Sequence, residues 1–487
     1  MKKNKKRIKN PILKLFIKIS ILTLIISLGI IYSDVKGYFN SDDTNNHTIK
    51  KWNSFYELTE NKVDIDIMLF GNSHLYTGIN PKNLSLNLGA TAFLFASPGT
   101  NIADSYFSLK EAVKKNKPKL VIVETYGMNN FNPYKLDDEE LSDQFKSFSA
   151  RKDFLTKLIS TPYLFSVDNY LYAWSTTLRN HTYIFTNRKQ LKINKEKIDK
   201  PYKWRKEEDK LYLGRFVRFT TGLKEDVLEK YETQGAAVNG KDYSYNKYTE
   251  LYVEKIVDFC KDEDIELMFL TLPMYEKHVS NYDVWKEKLG EILNQYPNKW
   301  LDLQTDANYQ GFDTNSFENT YSKNQHMTYN GSLLASYKLA DYVRDSVNIE
   351  LPARNTETNW ENLFYGEEGY FENYNPREND KNNKVLCSNK KLQNIKLNSC
   401  LLLKPNNKNH NVIIAKVNKD TIGNTDYQNF KIRVFITFEK NGKDLVAQVD
   451  LIYDKFHQTE DEVIFKTFVK PLKFKEVVDG GIILKKN

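Results

Sequence analysis

The stretch Ile65-Asp66-Ile67-Met68-Leu69-Phe70-Gly71-Asn72-Ser73-His74 decides the fold of this chain, because an apolar run passes directly into a polar turn. A near-continuous apolar run of this length is typical of a strand buried on both faces. Gly71 and Asn72 then favour a turn. A serine just after such a turn is exposed at the tip of a buried strand, as a nucleophile must be. The stretch therefore predicts a parallel sheet with Ser73 as a candidate nucleophile.

Similar apolar runs continue along the chain and alternate with amphipathic stretches, which is the pattern of a parallel sheet covered by helices on both faces. This pattern predicts an α/β domain with a three-layer α/β/α sandwich over 34–350. The predicted strands are 65–70, 92–96, 120–124, 265–270 and 300–303, and the predicted helices are 104–114, 248–261, 284–295 and 333–343.

An insertion over about 131–242 interrupts this alternation, since it is long, charged and rich in aromatic residues, including Trp174 and Trp204. Long connections inside a compact domain are often functional. We predict an insertion that partly covers the site. A helical cap and a solvated excursion are both compatible with its composition.

The C-terminal part, 360–487, has a different pattern. Runs at 413–417, 431–436, 445–449 and 463–468 alternate with period two, which predicts a β-rich, sandwich-like domain. Cys387 and Cys400 lie in two further predicted strands joined by a polar loop, and a hairpin disulfide between them suits an exported chain. Cys260 lies in a helical apolar pattern and is predicted to be a buried thiol. None of the three cysteines has metal-ligand spacing.

The net charge of +8 comes from the N-terminal end of the 487-residue chain. Without this leader the chain has 63 basic and 63 acidic residues, so a basic face for nucleic acid is not expected. The basic residues that supply this excess are Lys2, Lys3, Lys5, Lys6, Arg7, Lys9, Lys14 and Lys18.

The segment 13–32 is apolar apart from two lysines and small hydroxyl residues, and it approaches the ~20 residues that cross a bilayer. The positive-inside tendency predicts a single-pass anchor within 1–33, with residues after Ser33 outside the cell membrane. The alternative is a cleaved signal peptide with Ser27-Leu28-Gly29 as its cleavage site.

A candidate base lies far along the chain in Asn324-Gln325-His326-Met327, before a predicted helix. With Gly71-Asn72-Ser73-His74, Ser97-Pro98-Gly99 and Gly127-Met128-Asn129-Asn130, the chain resembles the SGNH or GDSL-like hydrolase superfamily. The resemblance implies Ser73 as nucleophile, His326 as base, and Gly99 and Asn129 in the oxyanion hole. It departs from the family at Lys323, where an aspartate is usual. Asn324 or a backbone carbonyl would then orient His326, or a Ser-His dyad would act in weaker form.

One N-terminal span, an external catalytic domain and a large insertion resemble the partners of membrane-bound O-acyltransferases. The resemblance implies a serine O-acyltransferase or esterase of the cell envelope. A cell-surface glycan would be its substrate or acceptor, with no metal and no organic cofactor. The alternatives are a polysaccharide deacetylase with the same site and a non-catalytic glycan-binding scaffold. His74 is predicted to be a structural neighbour, and His181 a packing or surface residue.

Overall fold

The computed structural model describes residues 11–40, 47–129, 132–199, 212–214, 222–354, 384–392, 395–403, 411–418, 430–440, 443–454, 462–469 and 473–484. The chain divides into two compact units. The first unit consists of Met1–Asn53 with Asn132–Lys210, and the second consists of Ser54–Phe131 with Leu211–Asn487. Trp204 and the predicted start of the C-terminal domain at 360 lie outside the described residues.

A five-stranded parallel sheet forms the centre of the second unit, in the order β2-β1-β3-β5-β7. The five predicted strands are all confirmed, with end shifts of a few residues. Strand β3 has the predicted bounds. The strands are β1 (Ile67–Phe70), β2 (Ala92–Leu94), β3 (Leu120–Glu124), β5 (Glu266–Thr271) and β7 (Lys299–Asp302), and a separate parallel pair is β4 (Val238–Asn239) with β6 (Val279–Ser280).

Helices occupy the intervals between these strands, and each of the four predicted helices is present with its ends shifted by a few residues. The helices are α1 (Pro11–Lys36), α2 (His47–Glu60), α3 (Ser73–Gly78), α4 (Pro81–Leu88), α5 (Ile102–Val113), α6 (Asp138–Ala150), α7 (Phe154–Leu164), α8 (Tyr170–Trp174), α9 (Thr176–Asn180), α10 (Tyr183–Thr186), α11 (Arg188–Asp199), α12 (Glu225–Gln234), α13 (Lys247–Asp262), α14 (Tyr282–Leu293), α15 (Asp306–Tyr309) and α16 (Tyr329–Ser346).

The sheet is buried on both faces, which explains its near-continuous apolar strands. Ile67 and Leu69 of β1 pack in one cluster with Leu339 of α16. On the opposite face, Phe107 of α5 and Tyr252 of α13 pack edge to face, with ring centroids 6.2 Å apart. Burial of one such side chain contributes about 1.5–3 kcal/mol, so this repeated burial holds the three layers together.

Helix α1 belongs to the first unit, and none of its residues is buried. An 18-residue window of this 26-residue helix has a mean hydropathy of 2.3, so the helix is long and apolar enough for a membrane span. Helices α6 to α11 of the insertion belong to the same unit. Trp174 packs there against Phe148, with ring centroids 5.6 Å apart.

The C-terminal region is a seven-stranded antiparallel sheet in the order β14-β11-β12-β13-β10-β9-β8. Its inward side chains form a separate apolar cluster, and Lys390 Nζ of edge strand β8 donates to the carbonyl of Val477 in edge strand β14. The predicted β-rich character of the C-terminal region is thus confirmed, and its described strands form one curled antiparallel sheet. Its strands are β8 (Lys384–Leu392), β9 (Ile395–Leu403), β10 (Asn411–Asn418), β11 (Phe430–Lys440), β12 (Lys443–Asp454), β13 (Glu462–Val469) and β14 (Lys473–Leu484).

The three cysteines are all free thiols. Cys387 and Cys400 lie opposite each other in the β8–β9 register, so the expected pairing is present without a disulfide bond. Cys260 is buried, as predicted, and burial raises the pKa of its thiol to about 12.

Candidate active site

Three loops meet at the carboxyl edge of the parallel sheet, after β1, β2 and β3. The Ser97 amide donates to the carbonyl of Gly71 at 3.2 Å, which joins the first two loops. Gly127 approaches so closely that a Cβ there would lie 2.8 Å from the carbonyl oxygen of Thr100 and 3.7 Å from Nδ2 of Asn72. Because parallel strands all end at this edge, residues distant in sequence converge there.

Ser73 is the first residue of α3, directly after the Asn72 cap. The Asn72 side-chain oxygen accepts from the backbone amide of His74 at 2.9 Å and so ends the turn. The expectation of an exposed serine is wrong, because Ser73 is largely buried, with 8% of its surface exposed. The strand, the turn and the cap therefore place the hydroxyl at a defined position at the sheet edge.

His326 lies in a short antiparallel pairing between 316–318 and 326–328. The Glu318 amide donates to the His326 carbonyl at 2.8 Å, and the Thr328 amide donates to the Ser316 carbonyl at 2.9 Å. The imidazole is close to the Ser73 helix, since its ring centroid is 5.5 Å from that of His74 and 6.5 Å from that of Tyr76. The pairing thus carries the candidate base to α3.

Glu318 is the acidic partner of His326. Its Oε2 lies 3.3 Å from Nδ1 of His326, and the two side chains are only 14% and 8% exposed. A carboxylate on Nδ1 fixes the ring orientation and leaves Nε2 as the basic nitrogen. Sequence reasoning missed Glu318. The available signal was its position in Phe317-Glu318, which a polar loop separates from His326-Met327.

Asn324, which we expected to orient His326, instead contacts the other histidine of the site. Its Oδ1 lies 3.0 Å from Nε2 of His74. The His74 ring also stacks on Tyr126, with ring centroids 3.8 Å apart. Burial and then the nearby His326 hold the pKa of His74 well below its usual value, so His74 is a neutral residue that supports the loop of the base.

Gln325, which lies between Asn324 and His326, holds the same loop through two side-chain hydrogen bonds. Its Oε1 accepts from the Tyr275 amide at 2.8 Å, and its Nε2 donates to the Tyr231 hydroxyl at 3.0 Å. That hydroxyl lies 2.6 Å from Nδ1 of His278, whose pKa burial lowers to about 4. These neutral groups hold His326 in place without adding charge.

The two residues predicted for the oxyanion hole differ in their contacts, since Asn129 has a side-chain hydrogen bond and Gly99 is described by its backbone geometry and exposure. The Asn129 Oδ1 accepts from the Ser244 amide at 3.1 Å, so Nδ2 is the end of the amide that can donate elsewhere. Gly99 is exposed and has a φ of 62°, in the left-handed region that glycine adopts without strain. Both residues lie in the loops that meet near Ser73.

Glu124 ends β3 beneath these loops. Its Oε1 accepts from the Tyr126 amide at 2.6 Å, and a Cβ on Gly71 would lie 3.2 Å from its Oε2. Burial raises the pKa of this carboxyl to about 8, although hydrogen bonds from backbone amides, including those of Gly127 and Asn72, act in the opposite direction. Glu124 is therefore protonated at neutral pH and links two loops of the site.

His181 lies in the insertion at an exposed position, where its Nδ1 is 2.6 Å from the Leu178 carbonyl. Within the described part of the chain, no group of three or more histidine, cysteine or acidic residues has metal-binding geometry.

Comparisons with known proteins gave no matching protein-family model and no matching curated protein. One similar solved structure is a Bacteroides fragilis protein described provisionally as an acylhydrolase, with 9% identity and a TM-score of 0.28, covering 60% of this chain and 95% of that one. Another is an acetyl xylan esterase from the rumen bacterium Butyrivibrio proteoclasticus, with 11% identity and a TM-score of 0.22, covering 57% of this chain and 63% of that one.

Proposed function

We propose that this protein is a serine O-acyl esterase or acyltransferase that works through an acyl-Ser73 intermediate. The observation that carries the proposal is the Glu318–His326 pair, whose imidazole lies beside the short helix that begins at Ser73. A buried carboxylate, an imidazole and a serine at a strand end are the three groups of a catalytic triad.

The proposed reaction begins when Nε2 of His326 takes the proton of the Ser73 hydroxyl while Oγ attacks an ester carbonyl. Glu318 stabilises the imidazolium that forms, and the Asn129 amide and the backbone near Gly99 donate to the oxyanion. The C–O bond of the leaving alcohol then breaks, and His326 gives that alcohol its proton. A second alcohol or water, deprotonated by His326, attacks acyl-Ser73 and regenerates the serine.

The substrate class that we propose is an O-acylated cell-surface glycan. Transfer to a sugar hydroxyl and hydrolysis as a deacetylase share the acyl-enzyme and differ only in the final acceptor. Two features favour a non-catalytic scaffold, the lysine at position 323, where an acid is expected, and the β-rich C-terminal region. Glu318 weakens the first of these, because it supplies a carboxylate to His326 from another segment.

We also propose that α1 is a single-pass anchor in the cell membrane, with the catalytic domain outside. Its support is an apolar helix of 26 residues that follows a basic leader. A membrane-bound O-acyltransferase is the proposed partner, which would supply the acyl group across the membrane.

The test is to incubate the full chain with p-nitrophenyl acetate carrying a deuterated acetyl group and to search for the adduct by peptide mass spectrometry. We expect labelled Ser73, with the label abolished in Ser73→Ala and His326→Ala and kept in the matched control Ser346→Ala, which changes an exposed serine at the end of α16. Equal labelling in Ser73→Ala would refute the proposed nucleophile. With an acceptor oligosaccharide present, label on the sugar identifies transfer and labelled acetate alone identifies hydrolysis.

A further inference from the structure

Helix α7 of the insertion exposes large apolar side chains and buries several polar ones. Its exposed residues include Phe154 at 65%, Leu155 at 56%, Leu158 at 50% and Ile159 at 47%. At helical spacing these four side chains lie on one face. A helix of a water-soluble protein normally turns such a face inward, toward its core.

The buried residues of α7 are Leu164 and three hydroxyl residues, Thr156, Ser160 and Thr161, and the hydroxyl residues are hydrogen-bonded. Thr161 Oγ1 donates to the Lys157 carbonyl at 2.8 Å and accepts from Trp174 Nε1 at 3.0 Å, and Ser160 Oγ donates to the same carbonyl at 3.0 Å. Thr156 is also buried and bonds Asp153. The bonds to Lys157 and Asp153 lie within α7 and its N-cap, whereas the bond from Trp174 comes from α8, so rotating α7 to hide its apolar face would break that bond.

The apolar face continues beyond α7. Val167 is 73% exposed and Leu171 of α8 is 70% exposed, and Phe154 packs edge to face on Trp174 at the end of α8, with ring centroids 5.5 Å apart. We call Phe154, Leu155, Leu158, Ile159, Val167 and Leu171 the apolar surface of the first unit. Contiguous exposed apolar surfaces mark sites of protein or membrane interaction.

The helices that follow this surface along the chain are hydrogen-bonded to the last turn of α1 and to the residues just after it. The Thr177 amide donates to Asp34 Oδ1 at 2.7 Å, and Asn180 Nδ2 donates to the Phe39 carbonyl at 2.7 Å. Asn194 Nδ2 of α11 donates to the carbonyls of Tyr38 and Asn40, both at 2.9 Å. The insertion is thus held where the chain leaves its apolar helix, which places this unit at the membrane surface if α1 crosses the bilayer.

Helix α11 carries an excess of positive charge, which an anionic membrane surface attracts. It has five basic and two acidic residues, and Arg188, Lys189, Lys192 and Lys195 are exposed. Phe185, 78% exposed, comes shortly before this helix in the chain. Exposed apolar side chains near exposed lysines and arginines are typical of segments that lie in the interface of a bilayer with anionic lipids.

We infer that the apolar surface of the first unit lies in the interfacial region of the same bilayer that α1 crosses. Helices α7 and α8 then rest in the plane of the membrane, with side chains reaching about 5–10 Å into the boundary between headgroups and acyl chains. The inference depends on the proposed anchor and is independent of the proposed chemistry. It describes a domain with two attachments to the membrane, a spanning helix and a surface.

The experiment uses the full chain in vesicles of phosphatidylcholine and phosphatidylglycerol, with an environment-sensitive fluorophore on single introduced cysteines. The background variant Cys387→Ser removes the half-buried native thiol, since Cys260 and Cys400 are buried. Reporters are placed by Leu158→Cys and Leu171→Cys on the surface, by Leu22→Cys in α1, and by the control Glu139→Cys at an exposed position of α6 in the same unit. Lipids with a nitroxide near the glycerol end of the acyl chain quench the reporters on the surface, and lipids with a nitroxide near the methyl end quench the reporter at Leu22, which lies near the middle of α1.

We expect several-fold quenching at Leu158 and Leu171 and none at Glu139. Quenching at Leu22 alone would overturn the inference and keep the anchor, and would show that the surface faces water or another protein. Quenching at no position would overturn both. Hydrolysis of p-nitrophenyl acetate by the same vesicles tests the proposed chemistry separately. A failure of the membrane inference is therefore distinguishable from a failure of the proposed esterase activity.

Discussion

Glu318 and His326 are joined twice, through their side chains at 3.3 Å and through the Glu318 amide and the His326 carbonyl at 2.8 Å. The backbone bond fixes the register of the two segments, and the register brings carboxylate and imidazole together. The acid and the base therefore form one hydrogen-bonded unit beside α3.

Replacing Glu318 by glutamine tests this unit. The amide is isosteric but lacks the charge that stabilises an imidazolium, so we expect kcat for p-nitrophenyl acetate to fall by about 10²- to 10⁴-fold. The melting temperature should change little, because the backbone pairing is retained. A kcat within about threefold of the parent enzyme would exclude Glu318 from the proton transfer.

Asn324→Ala is the matched comparison, because Asn324 contacts His74 rather than His326. Its removal costs one partly exposed hydrogen bond, and we expect a loss of about 1 kcal/mol in the free energy of unfolding. The kcat should fall much less than in Glu318→Gln. A reversed order of the two effects would show that Asn324 orients the base, as the sequence suggested.

Asn129→Ala tests the oxyanion donor. Its oxygen is held by the Ser244 amide, so the nitrogen can donate to developing charge. We expect kcat to fall by about 10²- to 10³-fold with little change in KM, since the interaction strengthens only in the transition state. The exposed Asn294 provides the control, and Asn294→Ala should leave both constants unchanged. A rise in KM with unchanged kcat would indicate a role in substrate binding instead.

Glu124 predicts a pH-dependent stability. Burial raises the pKa of this carboxyl from 4.5 to about 8. Between pH 4.5 and about pH 8 the folded protein therefore keeps a proton that the unfolded chain has lost. The free energy of unfolding falls as pH rises through this range. The slope is at most about 1.4 kcal/mol per pH unit. Denaturant unfolding at several pH values measures it.

Glu124→Gln should flatten that dependence, because glutamine is neutral at every pH and can still accept from the Tyr126 amide. The variant should be more stable than the parent above about pH 8. Glu291→Gln, at an exposed position of α14, is the control and should keep the parental slope. An unchanged slope in Glu124→Gln would show that other groups cause the dependence.

Cys387 and Cys400 predict a disulfide under oxidising conditions. A hydrogen bond with Cys400 lowers the pKa of the Cys387 thiol, which makes Cys387 the better nucleophile toward oxidised glutathione. The resulting mixed disulfide should be displaced by Cys400, giving an intrachain bond that peptide mass spectrometry detects. Cys260, buried in α13, should stay reduced. A stable glutathione adduct on Cys387 would contradict this prediction.

The sequence determined the layers of the fold, because parallel strands buried on both faces require runs such as Leu120 to Glu124, and this run has the same bounds in the structure. The amphipathic period similarly located α13 and α16. It did not determine that the C-terminal strands form one curled sheet, because alternation reports which side of a strand is buried and does not identify the partner strand.

For the site, the sequence determined the residues that follow strands, Ser73 and Asn129, because a turn after a buried strand can be recognised from the neighbouring residues alone. Only the tertiary structure decided which groups face the two histidines. Lys323 and Asn324 are near His326 in sequence, yet the pairing of 316–318 with 326–328 brings Glu318 to His326 and directs Asn324 to His74. Side chains on opposing segments meet through backbone register, and register depends on the whole hydrogen-bonded pairing rather than on spacing along the chain.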